Sequence, residues 1–184
     1  MAFEVNQFRS QMALDGARPN LFQVTMQFPS ALVPGGAADA SRKLTFHARS
    51  AQLPGATIGT IPIQYFGREV KLAGNRTFQD WTLTIFNDED FVTRNALEQW
   101  MASLNSHTGN LRAANARSSF TYGVDALVQQ YAKTGEVIKT YKFVGMWPTD
   151  ISPIDLDWGS NDTLEEYTAT FAYQYWTAED IGIR

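Results

Sequence analysis

The stretch Tyr167-Thr168-Ala169-Thr170-Phe171-Ala172-Tyr173-Gln174-Tyr175-Trp176 decides the fold class. Tyr167, Ala169, Phe171, Tyr173 and Tyr175 alternate with Thr168, Thr170, Ala172 and Gln174. A period of two belongs to a strand with one face on a core. Working outward, Phe22, Val24, Met26 and Phe28 alternate with Gln23, Thr25 and Gln27, and Trp81, Leu83 and Ile85 with Thr82 and Thr84. Leu44, Phe46 and Ala48 alternate with Lys43, Thr45, His47 and Arg49, which predicts a further strand with a small basic stripe. Residues 136–146 are β-branched and aromatic through Val137, Ile138, Tyr141, Phe143 and Val144. Threonine and aromatic side chains suit a pleated surface. The reading is a mainly antiparallel β protein.

One segment has the helical period. Across residues 88–106, Val92, Ala96, Leu97, Trp100, Met101 and Leu104 form an apolar stripe. Asp88, Glu89 and Asp90 fall in the expected first turn, where carboxylates complement the helix dipole, and His107 and Gly109 mark the stop. Three stretches read as loops. Residues 29–41, rich in Pro, Gly and Ala, form a mobile excursion; residues 108–123 are a polar link. Residues 53–74 hold Pro54, Gly55, Gly59, Pro62 and Gly67 around apolar pieces such as 61–66, too apolar for a solvated loop, so this segment docks on something.

Composition narrows the function classes. At 184 residues the chain suits one domain, 1–184, large enough for its own core. It has no Cys and only His47 and His107, which removes disulfides, thiol nucleophiles and histidine-rich metal sites. A net charge of −4 is the wrong sign for a general nucleic-acid binder. No apolar run approaches the roughly 18 residues of a membrane span, and the start carries Glu4, Arg9 and Asp15 without a signal-peptide core. The composition fits a soluble, cytosolically made protein.

Chemistry is sparse. The carboxylate clusters Asp155/Asp157 and Glu165/Glu166 fit solvated turns better than a catalytic pair. The run from Asp155 to Glu166 echoes a calcium loop but places Gly159 and Ser160 where an oxygen ligand and a glycine belong. Gly35-Gly36 lacks the Lys-Ser/Thr of a phosphate loop. His47 with Lys43 and Arg49 is read as a solvent face or as a contact to an acidic partner. The aromatic alternation of 167–176 is a sugar-stacking platform or, more commonly, core or interface. No nucleophile–base–orienter set emerges, so the chain reads as no enzyme and needs no cofactor or metal.

Several separated motifs carry a resemblance. GNRTFQDWTLTIFNDE at 74–89 resembles the signature region of the tail tube proteins of contractile-tailed bacteriophages. So do Ala17-Arg18-Pro19-Asn20-Leu21-Phe22, Gln130-Tyr131-Ala132, Gly145-Met146-Trp147-Pro148-Thr149 and Leu156-Asp157-Trp158, in the family's order and at similar spacing. Residues 29–41 depart from it by a longer hairpin, and 177–184 look like an extension. The resemblance implies an antiparallel β-sandwich or partly closed barrel with one flanking helix. It implies hexameric rings with a continuous inner β-barrel, stacked into a tube that conducts DNA. The implied partners are further copies of itself, the tail sheath protein, a baseplate hub or tube initiator, a tape measure protein, and DNA passing without specific binding. The implied place is the virion tail, assembled in the host cytoplasm.

The implied geometry is self-consistent. About four strands per copy make about 24 per ring, and strand spacing near 4.8 Å with a tilt near 40° leaves a bore of roughly 27–38 Å. A B-form duplex, roughly 20 Å wide, passes with room for water. An acidic wall would give phosphates nothing to condense on. Under the resemblance, residues 53–74 are the arm for the next ring, with Arg18, Thr57, Ile61, Ile63, Tyr65, Phe66 and Arg68 as interface candidates. Residues 1–20 are a second arm. Arg76, Asp80, Trp81 and Trp147 are structural signature positions, with Arg76 and Asp80 a candidate ion pair. The helix at 88–106 turns Arg94 and Glu98 toward a sheath. The alternatives are the tube of a phage-derived contractile injection or secretion system and, from another class, a carbohydrate-binding β-sandwich.

Overall fold

The computed structural model describes residues 5–12 and 16–180. Parts of the expected N-terminal arm (1–4 and 13–15) and of the C-terminal extension (181–184) lie outside the described residues. Nine strands are described: β1 (Phe22–Met26), β2 (Ala48–Ala51), β3 (Thr57–Tyr65), β4 (Arg68–Thr77), β5 (Trp81–Phe86), β6 (Val124–Tyr131), β7 (Val137–Ile151), β8 (Glu166–Ala172) and β9 (Tyr175–Asp180). The helices are α1 (Val5–Gln11), α2 (Ala37–His47), α3 (Val92–Leu104) and the single turn α4 (Ser119–Tyr122).

All the pairings among these strands are antiparallel. The main sheet runs β1-β6-β7-β8-β5-β2, with β9 also on β7. Through Val144, β7 lies between β6 and β9; from Trp147 to Ile151 it pairs with β8 instead. The change of partner sits at Gly145, whose φ is +62°, a conformation that costs a side-chain-bearing residue about 1–2 kcal/mol. An added Cβ there would also stand 3.1 Å from Gln174 Cγ. One strand thus belongs to two layers, and the sheet curls until β1 and β2 approach without pairing. The expected sandwich or partly closed barrel is the architecture found.

One core fills the curl. Val24, Met26, Ala126, Val128, Phe143 and Met146 come from one layer, and Trp81, Leu83, Ile85, Tyr167, Ala169 and Phe171 from the other. The Trp81 ring packs 4.9 Å from Phe143 and 5.9 Å from Phe171. Helix α3 buries Ala96, Leu97 and Trp100, and the Trp100 indole donates to the Tyr122 carbonyl at 3.0 Å.

Several expectations need correction. The run 43–49 is not a strand: through His47 it is the end of α2, and only Ala48 onward is extended. Ala37, Ala40, Ser41 and Leu44 are buried at helical spacing, while Phe46 is exposed. A three-position alternation was outweighed by a longer stripe. The stretch 29–41 is therefore no mobile loop: Leu32 and Val33 are buried, both their N–H groups bond to the Pro29 carbonyl, and α2 begins at Ala37. The flanking helix accordingly has a partner, α2, packed on α3 and β1. The basic stripe is also gone. Lys43 binds Asp88 at 2.6 Å and Asp90 as well, and Arg49 binds Glu166. Those aspartates precede α3, whose first residue is Val92, and Asp90 Oδ1 accepts from its N–H. The long run 167–176 breaks at Tyr173-Gln174, where the Gln174 N–H bonds to the Val144 carbonyl and the chain crosses to β7.

Two outcomes follow. Gly145→Ala lowers stability by about 1–2 kcal/mol, read as a shift of the denaturant midpoint. For the second, the hydrogen bonds to Lys43 hold Asp88 and Asp90 below their usual value of 3.8, and the same bonds raise Lys43 above 10.5. The carboxylates' contribution is complete above their usual value and is lost as pH falls through the lower folded values. The ammonium's is complete below its usual value and is lost as pH rises through its raised one. Denaturant titrations from acid to neutral pH should show a stability decline below about pH 4 that is shallower in Lys43→Met.

Candidate assembly surfaces

The loop expected at 53–74 is a two-stranded hairpin, β3–β4, whose residues are all exposed except half-buried Gly74. Register places Ile61 opposite Leu72, Ile63 opposite Val70 and Tyr65 opposite Arg68. Directly opposed residues share a face. One face therefore carries Ile61, Ile63, Tyr65, Val70 and Leu72; the other carries Thr60, Gln64, Glu69 and Lys71. An isolated two-stranded hairpin is marginal in water. Its base is held by two indoles, Trp81 Nε1 donating to the Gln52 carbonyl at 2.7 Å and Trp176 Nε1 to the Gly55 carbonyl at 3.1 Å. Phe78 packs on Tyr173 and Trp176 where β4 leaves.

The tip turns on Phe66 and Gly67, both at positive φ (46° and 76°), as a two-residue I′ loop demands. That loop favours asparagine first, yet here a phenylalanine stands there, 90% exposed and edge-on to Tyr65 at 4.6 Å. Arg68 follows at the tip, and Thr57 starts β3 at the base.

The second surface is the outer face of β1-β6-β7-β9, turned away from the core. It presents Gln23, Thr25, Gln129, Tyr131, Thr140, Lys142 and Thr177 with Leu127 and Val144. The Tyr131 hydroxyl donates to Gln23 Oε1 at 2.6 Å, and Gln129 Nε2 approaches Thr140 Oγ1 at 3.4 Å. Lys142 Nζ lies 2.9 Å from Asp125 Oδ2. Burial works against the Asp125 charge, but Lys142 and the Gly145 N–H outweigh it and hold its pKa low; Asp125 in turn raises Lys142. With Glu179, charge on this face is near balance. Strands β1 and β9 bound this four-strand ribbon, and each has a partner on one side among the described residues.

The remaining candidates fall in different places. Arg18 is exposed in the turn before β1, its carbonyl accepting from Leu21 N and Gln130 Nε2. Arg76 and Asp80 form no ion pair with one another; Asp80 and, more strongly, burial raise the Tyr173 pKa. Trp147 stacks edge-on with Tyr122 at 5.8 Å. Arg94 is folded back: it lies over the Tyr167 ring at 5.0 Å, binds Glu98 at 3.0 Å and donates to the Ser152 carbonyl. The exposed side of α3 is Asn95, Glu98 and Gln99. Tyr167 and Phe171 are core, so the 167–176 aromatics make no sugar platform. Among the described residues, no three His, Asp or Glu side chains gather to hold a metal.

Sequence reasoning missed Val70 and Leu72, although their spacing about Phe66-Gly67 mirrors Ile61 and Ile63 and signals a hairpin. It also missed the glutamine and threonine face, which no local pattern distinguishes from an ordinary solvent face.

Comparison with known proteins supplies the family. Residues 17–179 match the family described as phage tail tube protein. The chain is 32% identical over 163 residues to the tail tube protein gp19 of Enterobacteria phage T4, covering 88% of this chain and 91% of that one. It is 28% identical to the tail tube protein of Serratia phage KSP90, covering 92% and 93%. The fold is shared, at 14% identity, with a chain of the sheath–tube complex of an extracellular contractile injection system, PVC (TM-score 0.61, covering 98% of this chain and 100% of that one). It is shared likewise with a chain of the anti-feeding prophage baseplate (TM-score 0.64, 14% identity, 94% and 100% covered). A free-standing arm, two open strand edges and a match across nearly the whole chain lead to one assignment: this chain belongs to the phage tail tube protein family.

Proposed function

We propose that six copies join edge to edge into a ring, and that rings stack into the inner tube of a contractile tail, conducting DNA into the host cell. The observation that carries this reading is the hairpin β3–β4. It exposes five apolar side chains on one face, and among the described residues nothing covers them. Each is about half-exposed, so covering them is worth on the order of 1 kcal/mol apiece. Arms that dock on the next ring supply that cover, and a head-to-tail contact that does not close extends indefinitely.

Ring closure uses the edges. An open edge invites uncontrolled pairing unless another strand takes it. Pairing β1 of one copy with β9 of the next removes both edges and puts four strands per copy into one barrel. The polar face then lines the bore. Its amides and hydroxyls, with charge near balance, give phosphates little to condense on. A lumen potential measured as positive throughout would overturn this lining. The Asn95–Gln99 side of α3, with Glu98, is the surface offered to a sheath, while Arg94 braces it from within. A baseplate initiator would receive the first ring, and a tape measure protein would occupy the bore during assembly in the host cytoplasm. The N-terminal segment, including α1 with exposed Val5 and Phe8 and the exposed Met12 after it, is a second stacking arm.

Replacing residues 57–77 with a short Gly-Ser linker should leave a folded subunit with an unchanged circular dichroism spectrum and no long tubes by negative-stain electron microscopy; normal tubes refute the arm. Phe66→Asn relaxes the turn residue while removing the exposed ring. The hairpin should remain protected in hydrogen exchange, and tube yield should fall severalfold.

A further inference from the structure

We propose that the arm of one copy docks on the loop between β7 and β8, residues 152–165, of a copy in the adjacent ring; this rests on reading the hairpin as the stacking arm. The loop exposes Leu156, Trp158 (103%) and Leu164. It carries Asp155, Asp157, Asp162 and Glu165 and no Lys or Arg. All of these side chains but Asp162 border a groove of ≈ 570 Å³.

The loop is a held shape. Asp157 Oδ1 accepts from the Gly159 N–H at 3.0 Å, which sets the turn that presents Trp158. Arg94 ties one stem through the Ser152 carbonyl at 3.3 Å, and Asn87 ties the other through Glu165, backbone to backbone at 2.9 Å and side chain to side chain at 2.8 Å. A rigid concave surface loses little entropy on docking.

The hairpin is its complement in charge and in apolar character. Arg68 stands on the apolar face opposite Tyr65, beside the Tyr65–Phe66 tip, and Arg76 near the base opposite Ile58; Lys71, on the other face, pairs with the hairpin's single carboxylate, Glu69, at 3.8 Å, which leaves a cationic excess. Topology puts the two surfaces at opposite ends of the subunit. The hairpin leaves from Ala51 and Trp81, and Trp81 pairs with Phe171; the loop enters β8 at Glu166, which pairs with Phe86 at the far end of β5. That ladder separates the two by roughly 17 Å before the hairpin adds its own length, roughly 30 Å. A surface at one end that fits a surface at the other cannot be satisfied within one copy. It fits head-to-tail addition of a second copy, which grows without closing.

The test uses the full chain and tube yield, with circular dichroism and thermal midpoints to establish folding. Asp155 and Asp162 are exposed, and neither builds the Trp158 turn, so Asp155→Lys/Asp162→Lys should fold normally. It should lose about tenfold in tube yield at low salt, as should Trp158→Ala and Arg68→Asp. Combining both charge reversals in one chain should restore assembly to within a fewfold of the parent. If the loop variants assemble like the parent while the hairpin replacement does not, the arm stands and this acceptor is overturned. Failure of the combined variant to restore tubes overturns it equally, and points to a sheath, a baseplate or another part of the ring as the loop's partner. If the hairpin replacement also assembles normally, the arm reading itself falls.

Discussion

The bend in β7 is the constraint from which the rest of the structure follows. Up to Val144 the strand is sandwiched between β6 and β9, and from Trp147 it hands its remaining ladder to β8. A strand without that bend would hold β8 and β9 in one flat sheet, with one of its two faces left uncovered. Because it bends, Phe143 and Met146 of one layer share a core with Trp81 and Phe171 of the other, while Thr140, Lys142 and Val144 stay on the opposite, polar face. The break at Tyr173-Gln174 is the second half of the same device, carrying the chain from β8 across to β7.

That arrangement divides the molecule's surfaces by chemistry. Amide and hydroxyl groups collect on the outer face of β1-β6-β7-β9, with Lys142 and Asp125 neutralising each other. Uncompensated carboxylates collect on the loop after β7, and an excess of cations sits on the hairpin. Charges elsewhere serve the fold: Lys43 fastens α2 to the residues before α3, and Arg49 fastens β2 to β8. Both the hairpin face and the loop that presents Trp158 also expose apolar side chains. A subunit built to be one link of a polymer has to leave such surfaces unsatisfied, because its neighbours complete them.

The strands were legible where alternation ran long enough to exclude the helical period, as in Phe22–Met26, Trp81–Phe86 and Glu166–Ala172. Residues 43–48 misled because only three apolar positions were counted. Ala37, Ala40 and Ser41 look like loop composition, and they become a helical face only when packed on β1 and α3. In 53–74 the abundance of Pro and Gly hid a hairpin, although its apolar excess already set it apart from a solvated loop. Arg94 shows the converse limit. Its helical position was readable, but its capture by Tyr167, Glu98 and Ser152 depends on elements up to 73 positions away.

By itself the sequence determined the antiparallel class, a helix within 88–106, the apolar excess of 53–74 and, through spaced motifs, the family. These are properties of period and local composition, which neighbours in the chain establish together. Only the tertiary structure decided which strand faces look outward, that the arm is a free hairpin with one apolar side, and that the acidic loop lies at the other end from it. Those are relations between segments distant in sequence. They are set by register and by the bend in β7, and a one-residue shift in either would exchange the faces without altering the local pattern.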